Sequence, residues 1–390
     1  MENIKYLFRN NVRQYAMIIA LVAIMAFFQI TTGGILLVPM NVTNLILQNA
    51  YVFILAIGMT LTILAGGNID LSVGSLVAFI GALAGAFIVT MRMNVALGIA
   101  LSLIAGLLVG IWQGYWIAYV RIPAFIVTLA GMLIFRGLTL TMLQGLTIAP
   151  FPNSFQQISS GFVNDFFGSA GETFNLTSVL AGVIVTVLYI IGSLRRRASR
   201  TKNGFENSSV SLFAVQIVAI SAVIMLISIW LAAYKGLPII FLIILVLVVA
   251  YSFFTTRTVP GRYFYAMGGN EKAARLSGIN TDRILFFAYV NMGVLSAVAG
   301  IAFTSRLNAA SPQAGLGFEL DAIAACFIGG ASAYGGIGTI VGSIIGALVM
   351  GVLNNGMSIM GYGTDIQQVV KGLVLLLAVA FDVFSKKKAR

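Results

Sequence analysis

Long apolar stretches separated by short polar connections make up most of the 390-residue chain. A helix needs about 20 predominantly apolar residues to cross a bilayer. The pattern therefore predicts an all-α polytopic membrane protein of about 10–12 transmembrane helices, in one membrane domain spanning residues 1–390. The predicted crossings cover about residues 15–30, 45–65, 73–90, 95–120, 124–143, 176–194, 210–231, 238–254, 284–303, 322–332, 337–353 and 369–384.

One of these stretches, residues 322–332, is too short to cross alone at about 1.5 Å per residue. Glycines on both sides predict a broken or re-entrant helix buried in protein. Two polar linkers also interrupt the pattern. Residues 144–175 predict a long extracellular loop, and the basic residues 195–209 predict a mobile cytoplasmic loop.

Composition excludes several kinds of chemistry. Hydrophobic residues make up 59% of the chain and charged residues only 9%, against about 25% charged in soluble proteins, so little is left for a soluble domain. Histidine is absent and Cys326 is the single cysteine. A histidine general base, a His/Cys metal cage and an intrachain disulfide are therefore excluded.

The net charge of +12 is concentrated in alternate loops. With the amino terminus inside, twelve crossings return the carboxyl terminus to the same side, and most of the 23 basic residues then lie inside. This bias is what the positive-inside rule describes. It predicts cytoplasmic termini in a lipid-embedded chain, and it argues against nucleic-acid binding.

Glycine is abundant and regularly spaced. Spacing of four residues along a helix lets neighbouring helices approach closely. The stripes indicate either packing within one subunit or a seam that joins subunits or lines a pore. They comprise Gly106, Gly110 and Gly114, and Gly338, Gly342 and Gly346.

The polar segment 255–283 contains good helix formers. A short helix is expected at Asn270–Leu276, capped by Asn270 or Gly269, with Glu271 in the first turn and Gly278 at its exit. Held by glycines on both sides, it forms a docking surface for another protein. The alternative is a solvated loop.

Four separated motifs resemble one family nearly end to end. They are GRYFYAMGGNEKAARLSGI at Gly261–Ile279, GGNIDLSVGS at Gly66–Ser75, Glu319–Gly356 and Gln367–Asp382. They resemble permease subunits of bacterial ABC sugar importers of the ribose, xylose and galactoside type. Residues 195–235 look like a basic loop and helix inserted relative to shorter members, as in the xylose or multiple-monosaccharide branch.

The resemblance implies a homodimeric pore in the inner membrane, an ABC ATPase bound beneath it and an extracytoplasmic sugar-binding protein. ATP-driven movement of the ATPase would reach the pore through segment 255–283 and drive alternating access for xylose or another pentose or hexose. The implied coupling residues are Gly261, Arg262, Tyr265, Gly269, Asn270, Glu271, Ala273, Ala274, Arg275, Leu276 and Gly278.

Within this set, three roles are expected. Glycines 261, 269 and 278 allow sharp turns. The polar contacts to a groove on the ATPase come from Asn270, Glu271 and Arg275, and the apolar side comes from Ala273, Ala274 and Leu276.

The chain itself is expected to be a transport subunit and not an enzyme. Leu276-Ser277-Gly278 matches only the start of an ATPase signature, and the sequence contains no GxxxxGK[ST] phosphate loop. ATP and Mg²⁺ would bind the partner, with no cofactor or metal in this chain. Whether the ATPase is one fused chain or two stays open.

Four pore and gating candidates cluster where the second and third spans meet: Asn68, Asp70, Ser72 and Ser75. Two further candidates, Gln113 and Asn354, could hydrogen-bond sugar hydroxyls or form ordinary contacts between helices. Asp70 could instead cap the following helix. Charged residues within spans are costly unless paired. Pairing is therefore expected among Arg136, Glu319, Asp321 and Lys371.

Other functions remain open at this stage. An ion-gradient-driven secondary transporter fits the composition, although such proteins usually carry titratable groups near the membrane centre. A membrane enzyme is less favoured, because Glu319 and Asp321 point in different directions on a helix. A nucleoside or related small polar solute would suit the same permease architecture.

Overall fold

The computed structural model describes residues 12–168, 174–205, 207 and 209–387. A short 3₁₀ helix lies at Ile35–Leu37 and a π-helical turn at Gly85–Thr90. The α-helices are α1 (Val12–Thr31), α2 (Pro39–Gln48), α3 (Ala50–Leu64), α4 (Val73–Ala84), α5 (Val95–Ala118), α6 (Ala124–Leu143), α7 (Asn153–Ser160), α8 (Leu176–Lys202), α9 (Val210–Ala232), α10 (Ile239–Arg257), α11 (Val259–Gly269), α12 (Glu271–Leu276), α13 (Thr281–Leu307), α14 (Phe318–Ile328), α15 (Ile340–Ile359) and α16 (Thr364–Lys387).

The predicted all-α polytopic membrane fold is confirmed. Within the described residues, eight helices are long and apolar enough to cross a membrane, α4 together with its π-helical turn counting as one of them. The pair α2 and α3, bent by 46°, gives a ninth if it is a single span. The other three predicted crossings correspond to α1, which has a shorter apolar part at Met17–Thr31, and to α14 and α16.

The chain divides into two compact units. The larger comprises the described parts of Met1–Leu36, Leu45–Ser160 and Ile240–Arg390, and the smaller comprises Leu37–Asn44 and Gly161–Ile239. In the larger unit, the long helix α13 packs against α3, α4 and α5. Every residue of α3 is buried, and α4, α13 and α15 are mostly buried, so these four helices form the interior of this unit.

In the smaller unit, α8 packs against α9. The expected basic loop at residues 195–209 is wrong for its first part, because α8 continues to Lys202. Arginine and lysine are good helix formers, and cations at a helix carboxyl end are stabilised by the helix dipole. The Arg197 guanidinium also lies 4.6 Å from the ring centroid of Phe213 on α9.

The expected long loop at 144–175 also contains more structure than predicted. Helix α7 occupies Asn153–Ser160, and Phe155 is fully buried. The hydroxyl of Ser305 on α13 donates to the backbone carbonyl of Phe155 at 2.8 Å. Tertiary packing therefore orders part of this linker; residues 169–173 lie outside the described chain.

The first glycine stripe packs helices within one subunit. A Cβ added to Gly110 on α5 would lie 2.8 Å from the Tyr289 carbonyl and the Val290 Cα of α13, and Gly106 and Gly114 face the same helix. In the second stripe, Gly342 and Gly346 face the end of α14. The prediction that Gly338 shares their helix face is wrong, since it precedes α15 and has φ +151°.

Replacing Gly110 with leucine should destabilise the protein, since backbone atoms of α13 occupy the space and cannot rotate away. Overpacking of this kind costs about 1–3 kcal/mol or more. The matched control is Gly137→Leu on α6, where nothing lies within 4 Å of an added Cβ. Thermal unfolding in detergent should show a large loss for Gly110→Leu and a small change for Gly137→Leu. Equal losses would contradict the packing.

The larger unit contains a half-length helix. Helix α14, of 11 residues, is about 16 Å long, roughly half of a hydrocarbon core of about 30 Å. Its amino end lies beside that of α4, where Gly74 and Gly315 are in backbone contact. The short helix predicted at residues 322–332 is thus present, shifted toward the amino end.

Candidate functional site

The segment 255–283 contains two helices in sequence. Thr258 caps α11, where its hydroxyl accepts from the Gly261 amide at 3.1 Å and Pro260 follows in the first turn. Asn270 then ends α11 and caps α12, with its Oδ1 accepting from the Ala273 amide at 3.0 Å. The predicted helix and its Asn270 cap are confirmed. Helix α11 was not predicted, although Thr258 and Pro260 are residues typical of a helix start.

The end of α11 rests directly on the transmembrane helices. A Cβ on Gly268 would overlap the carbonyl oxygen of Leu64, the last residue of α3, and the backbone nitrogen of Gly336. The Gly336 amide donates to that same carbonyl at 3.1 Å. The Tyr265 hydroxyl donates to the carbonyl of Gly338 at 3.0 Å. These contacts attach α11 to the end of α3 and to the loop before α15, and are here named the α11 seat: Leu64, Tyr265, Gly268, Gly336 and Gly338.

The three predicted glycine turns differ in the structure. Gly278 has φ +84° and ends the α12 turn, as predicted. Gly261 and Gly269 have no positive φ, so the prediction of sharp turns there is wrong. Gly261 is instead required by close packing on the Phe254 backbone, and Gly269 has nothing within 4 Å of an added Cβ. Gly268, which the sequence analysis did not select, makes the closest approach to α3.

The charges of α12 pair within this chain. Arg275 lies 3.0 Å from Glu271 and 3.3 Å from Asp282, and Arg121, just after α5, contacts the same two carboxylates. The Thr281 hydroxyl joins them by accepting from Arg275 at 2.9 Å and donating to Glu271 at 3.3 Å. This charge network ties α12 to the start of α13 and the end of α5. Glu271 and Arg275 thus brace α12 within this chain, and their predicted contact with a groove on the ATPase stays a prediction.

The remaining predicted coupling residues include both exposed and buried side chains. Leu276 is 89% exposed, the most exposed large apolar side chain in the described residues. Ala273 and Arg262 are also exposed, whereas Ala274 is buried against this chain. The segment therefore presents an apolar tip at Leu276, and Ala274 forms part of the support beneath it.

Acid should weaken the charge network. Partial burial raises the pKa of Glu271, but hydrogen bonds from Arg121 and Thr281 and the charges of Arg121 and Arg275 outweigh it and lower the pKa below 4.5. A carboxylate with a lowered folded-state pKa contributes stability above its unfolded pKa and loses it as pH falls through the folded value. Glu271→Gln should therefore reduce the unfolding temperature at pH 7, and the difference from the unaltered chain should shrink below about pH 4.5. A difference that is constant with pH would contradict this reading.

A second polar group lies at the start of α4. Asp70 accepts from the Ser72 amide at 2.9 Å and the Ser72 hydroxyl at 2.6 Å, and the Gln113 amide on α5 donates to that hydroxyl at 2.7 Å. All three side chains are buried. Asp70 thus forms a turn with Ser72 and does not cap the later amides of α4. The acceptor atom of the same amide group, Gln113 Oε1, has no hydrogen-bond partner among the described residues.

The other pore candidates are separate from this group. Asn68 donates to the Ala65 carbonyl at 3.0 Å and is partly exposed, while Ser75 is buried in the first turn of α4. Asn354 lies on α15, and its Oδ1 is buried without a partner among the described residues. The structure therefore joins Asp70, Ser72 and Gln113 into one cluster and leaves Asn354 outside it.

A third polar group lies on the half-helix α14. Asp321 is buried and accepts from the Tyr51 hydroxyl of α3 at 2.8 Å. The Lys371 ammonium of α16 lies 2.9 Å from its Oδ1, which confirms one of the expected ion pairs. Arg136 instead donates to the carbonyls of Pro312 and Ala314, at 3.1 and 2.8 Å. The group joins three helices and is here named the α14 clamp: Tyr51, Asp321 and Lys371.

Comparison with known proteins places these features in a family. The family described as branched-chain amino acid transport system / permease component matches residues 41–379. The chain is 41% identical to the xylose transport system permease protein of Haemophilus influenzae over 379 residues, 97% of this chain and 98% of that protein. The corresponding Escherichia coli protein is 41% identical over 380 residues, covering 97% and 94%.

More distant relatives carry a different sugar in their names. The ribose import permease protein of Escherichia coli is 36% identical over 344 residues, 88% of this chain and 85% of that protein. No solved structure matches the chain. The family match covers the α11–α12 segment, the α4 cluster and the α14 clamp. The chain is therefore a multi-pass membrane protein of the branched-chain amino acid transport system / permease component family.

Proposed function

We propose that this chain is the pore subunit of an ATP-driven, binding-protein-dependent importer of monosaccharides, with xylose or a related pentose or hexose as substrate. The observation that carries the proposal is the pairing of an exposed apolar tip, Leu276, with rigid attachment to the membrane helices. Similarity to permeases named for xylose and ribose supports the substrate class.

In this proposal the ATPase docks on α12. The exposed Leu276 enters a groove on the ATPase, with Ala273 and Arg262 beside it, as in helix-in-groove recognition. ATP and Mg²⁺ bind the ATPase, and this chain carries neither a cofactor nor ATPase activity. Two copies of the chain form the pore, and a soluble sugar-binding protein delivers the substrate on the opposite face.

When ATP-driven movement of the ATPase displaces α12, the contacts of α12 transmit that displacement to the membrane helices. Arg121 passes force to the end of α5, Asp282 passes it to α13, and the contact of Gly268 with Leu64 passes it to α3. Because α13 also packs on α4, movement of α12 reaches the Asp70, Ser72 and Gln113 cluster. This cluster is proposed to line or gate the passage.

The proposed orientation follows from charge. The α11–α12 segment and Arg121 face the cytoplasm of a bacterial cell, with both termini on that side of the inner membrane, as the positive-inside rule predicts.

One observation favours a second function. Asp321 is buried and paired with Lys371 within the helical bundle, and buried ionisable pairs also occur in ion-coupled secondary transporters. In that case, uptake would follow an ion gradient and proceed without ATP.

Leu276→Asp should abolish docking while leaving the fold intact, since the side chain makes little contact within its own chain. The substitution removes an apolar side chain that would be buried in the docked complex and adds a charge there. It should weaken binding of the ATPase at least about tenfold. The measurement is the sugar-stimulated activity of the ATPase that co-purifies with the chain, in proteoliposomes. Leu276→Met is the matched control and should keep the stimulation. Full stimulation in Leu276→Asp would place the docking surface elsewhere.

A further inference from the structure

An apolar groove of about 540 Å³ opens beside the α11 seat, within the range of ligand pockets of about 300–1,000 Å³. Its walls come from α3, α10, α11 and α13, and include Ala250, Phe254, Phe264 and Phe287. Phe287 and Phe253 are more than half exposed. The groove is therefore continuous with the apolar outer surface of these helices.

The groove has a defined polar end. The Tyr251 hydroxyl of α10 donates to Asn291 of α13, which fixes how the two helices face each other. Arg257 follows Tyr251 by six residues, and Arg283 precedes Asn291 by eight, so the arginines lie about 9 and 12 Å beyond this bond, toward the same end of the two helices.

Both arginines share a helix face with the groove lining. Phe254 and Ala250 stand three and seven residues before Arg257, and Phe287 stands four residues after Arg283. These spacings place residues on one face of a helix. Both arginines are exposed, and neither forms an ion pair with the described residues.

We propose that this groove binds one anionic phospholipid, with its phosphate on Arg257 and Arg283 and an acyl chain between α10 and α13. Guanidinium groups bind phosphate oxygens by paired, charge-assisted hydrogen bonds. Two unpaired cations at the end of an apolar groove between membrane helices match a negative headgroup joined to a hydrocarbon chain, and basic pockets between spans are known to bind anionic lipids. Such a lipid contacts Pro260 and Phe264 of α11, next to the coupling segment.

The test titrates phosphatidylglycerol or phosphatidylcholine into delipidated full-length protein and counts bound lipid by native mass spectrometry. The unaltered chain should retain phosphatidylglycerol in preference to phosphatidylcholine. The Arg257→Ser/Arg283→Ser double variant should bind phosphatidylglycerol about 25-fold more weakly, because each cation is worth about fivefold near an anionic headgroup. The matched control, Arg195→Ser/Arg196→Ser on α8, removes the same charge and should change binding little.

A second variant tests the apolar half without changing charge. Ala250→Trp fills the groove from an exposed position and should also release phosphatidylglycerol while the protein stays monodisperse. Equal binding of the two lipids, or equal losses in the α8 control, would overturn the proposal. A groove covered by a second copy of the chain, seen as a dimer that Ala250→Trp dissociates without loss of lipid, would overturn it as well.

Discussion

Replacing Gly268 with alanine should detach the coupling segment from the membrane helices. The added methyl group would overlap the Leu64 carbonyl oxygen and the Gly336 backbone nitrogen, and neither backbone atom can rotate away. The cost is expected at or above the upper end of the about 1–3 kcal/mol typical of overpacking. We expect a lower unfolding temperature and loss of ATPase coupling together.

The adjacent glycine supplies the control. Gly269 is on the same helix but has nothing within 4 Å of an added Cβ and no positive φ. Gly269→Ala should therefore keep both stability and coupling, and could gain slightly from the lower entropy of the unfolded chain. If the two substitutions change stability and coupling equally, the contact of Gly268 with α3 does not attach the coupling segment to the membrane helices.

Removing Lys371 should be as costly, because it leaves the buried Asp321 carboxyl group without its ion-pair partner. Breaking one partner of a buried ion pair costs about 3–5 kcal/mol. Lys371→Met should therefore lower the free energy of unfolding by about that amount, measured by chemical denaturation in detergent.

The double variant Lys371→Met/Asp321→Asn separates the ion pair from general packing. The asparagine carbonyl can still accept from the Tyr51 hydroxyl, and no unpaired charge remains. It should be more stable than Lys371→Met alone. A double variant that is less stable than the single one would show that the clamp does not act through the buried charge.

The local features of the α12 segment could be predicted from sequence, because caps and turns depend on neighbouring residues. Asn270 and Gly278 are examples: one accepts a bond from an amide three residues on, and the other needs only its own positive φ. The crossings were predictable for the same reason, since hydropathy is local.

Contacts between residues that are far apart in the sequence could not be predicted from local patterns. Arg121 pairs with Glu271 across 150 positions, and no pattern around either residue indicates the contact. Gly268 and Gly269 look identical in the sequence, yet only Gly268 faces the end of α3. Charged residues within apolar stretches did predict pairing, because an unpaired charge is costly to bury. The partners could not be predicted: Lys371 pairs with Asp321, whereas Arg136 donates to backbone carbonyls.

The most direct test of the account is uptake of labelled xylose into proteoliposomes that contain this chain, its co-purifying ATPase and its binding protein. We predict uptake that requires internal ATP, persists when ion gradients are collapsed, and is lost in Leu276→Asp but kept in Leu276→Met. Uptake that continues without ATP and stops when an ion gradient is collapsed would contradict the account and favour a secondary transporter.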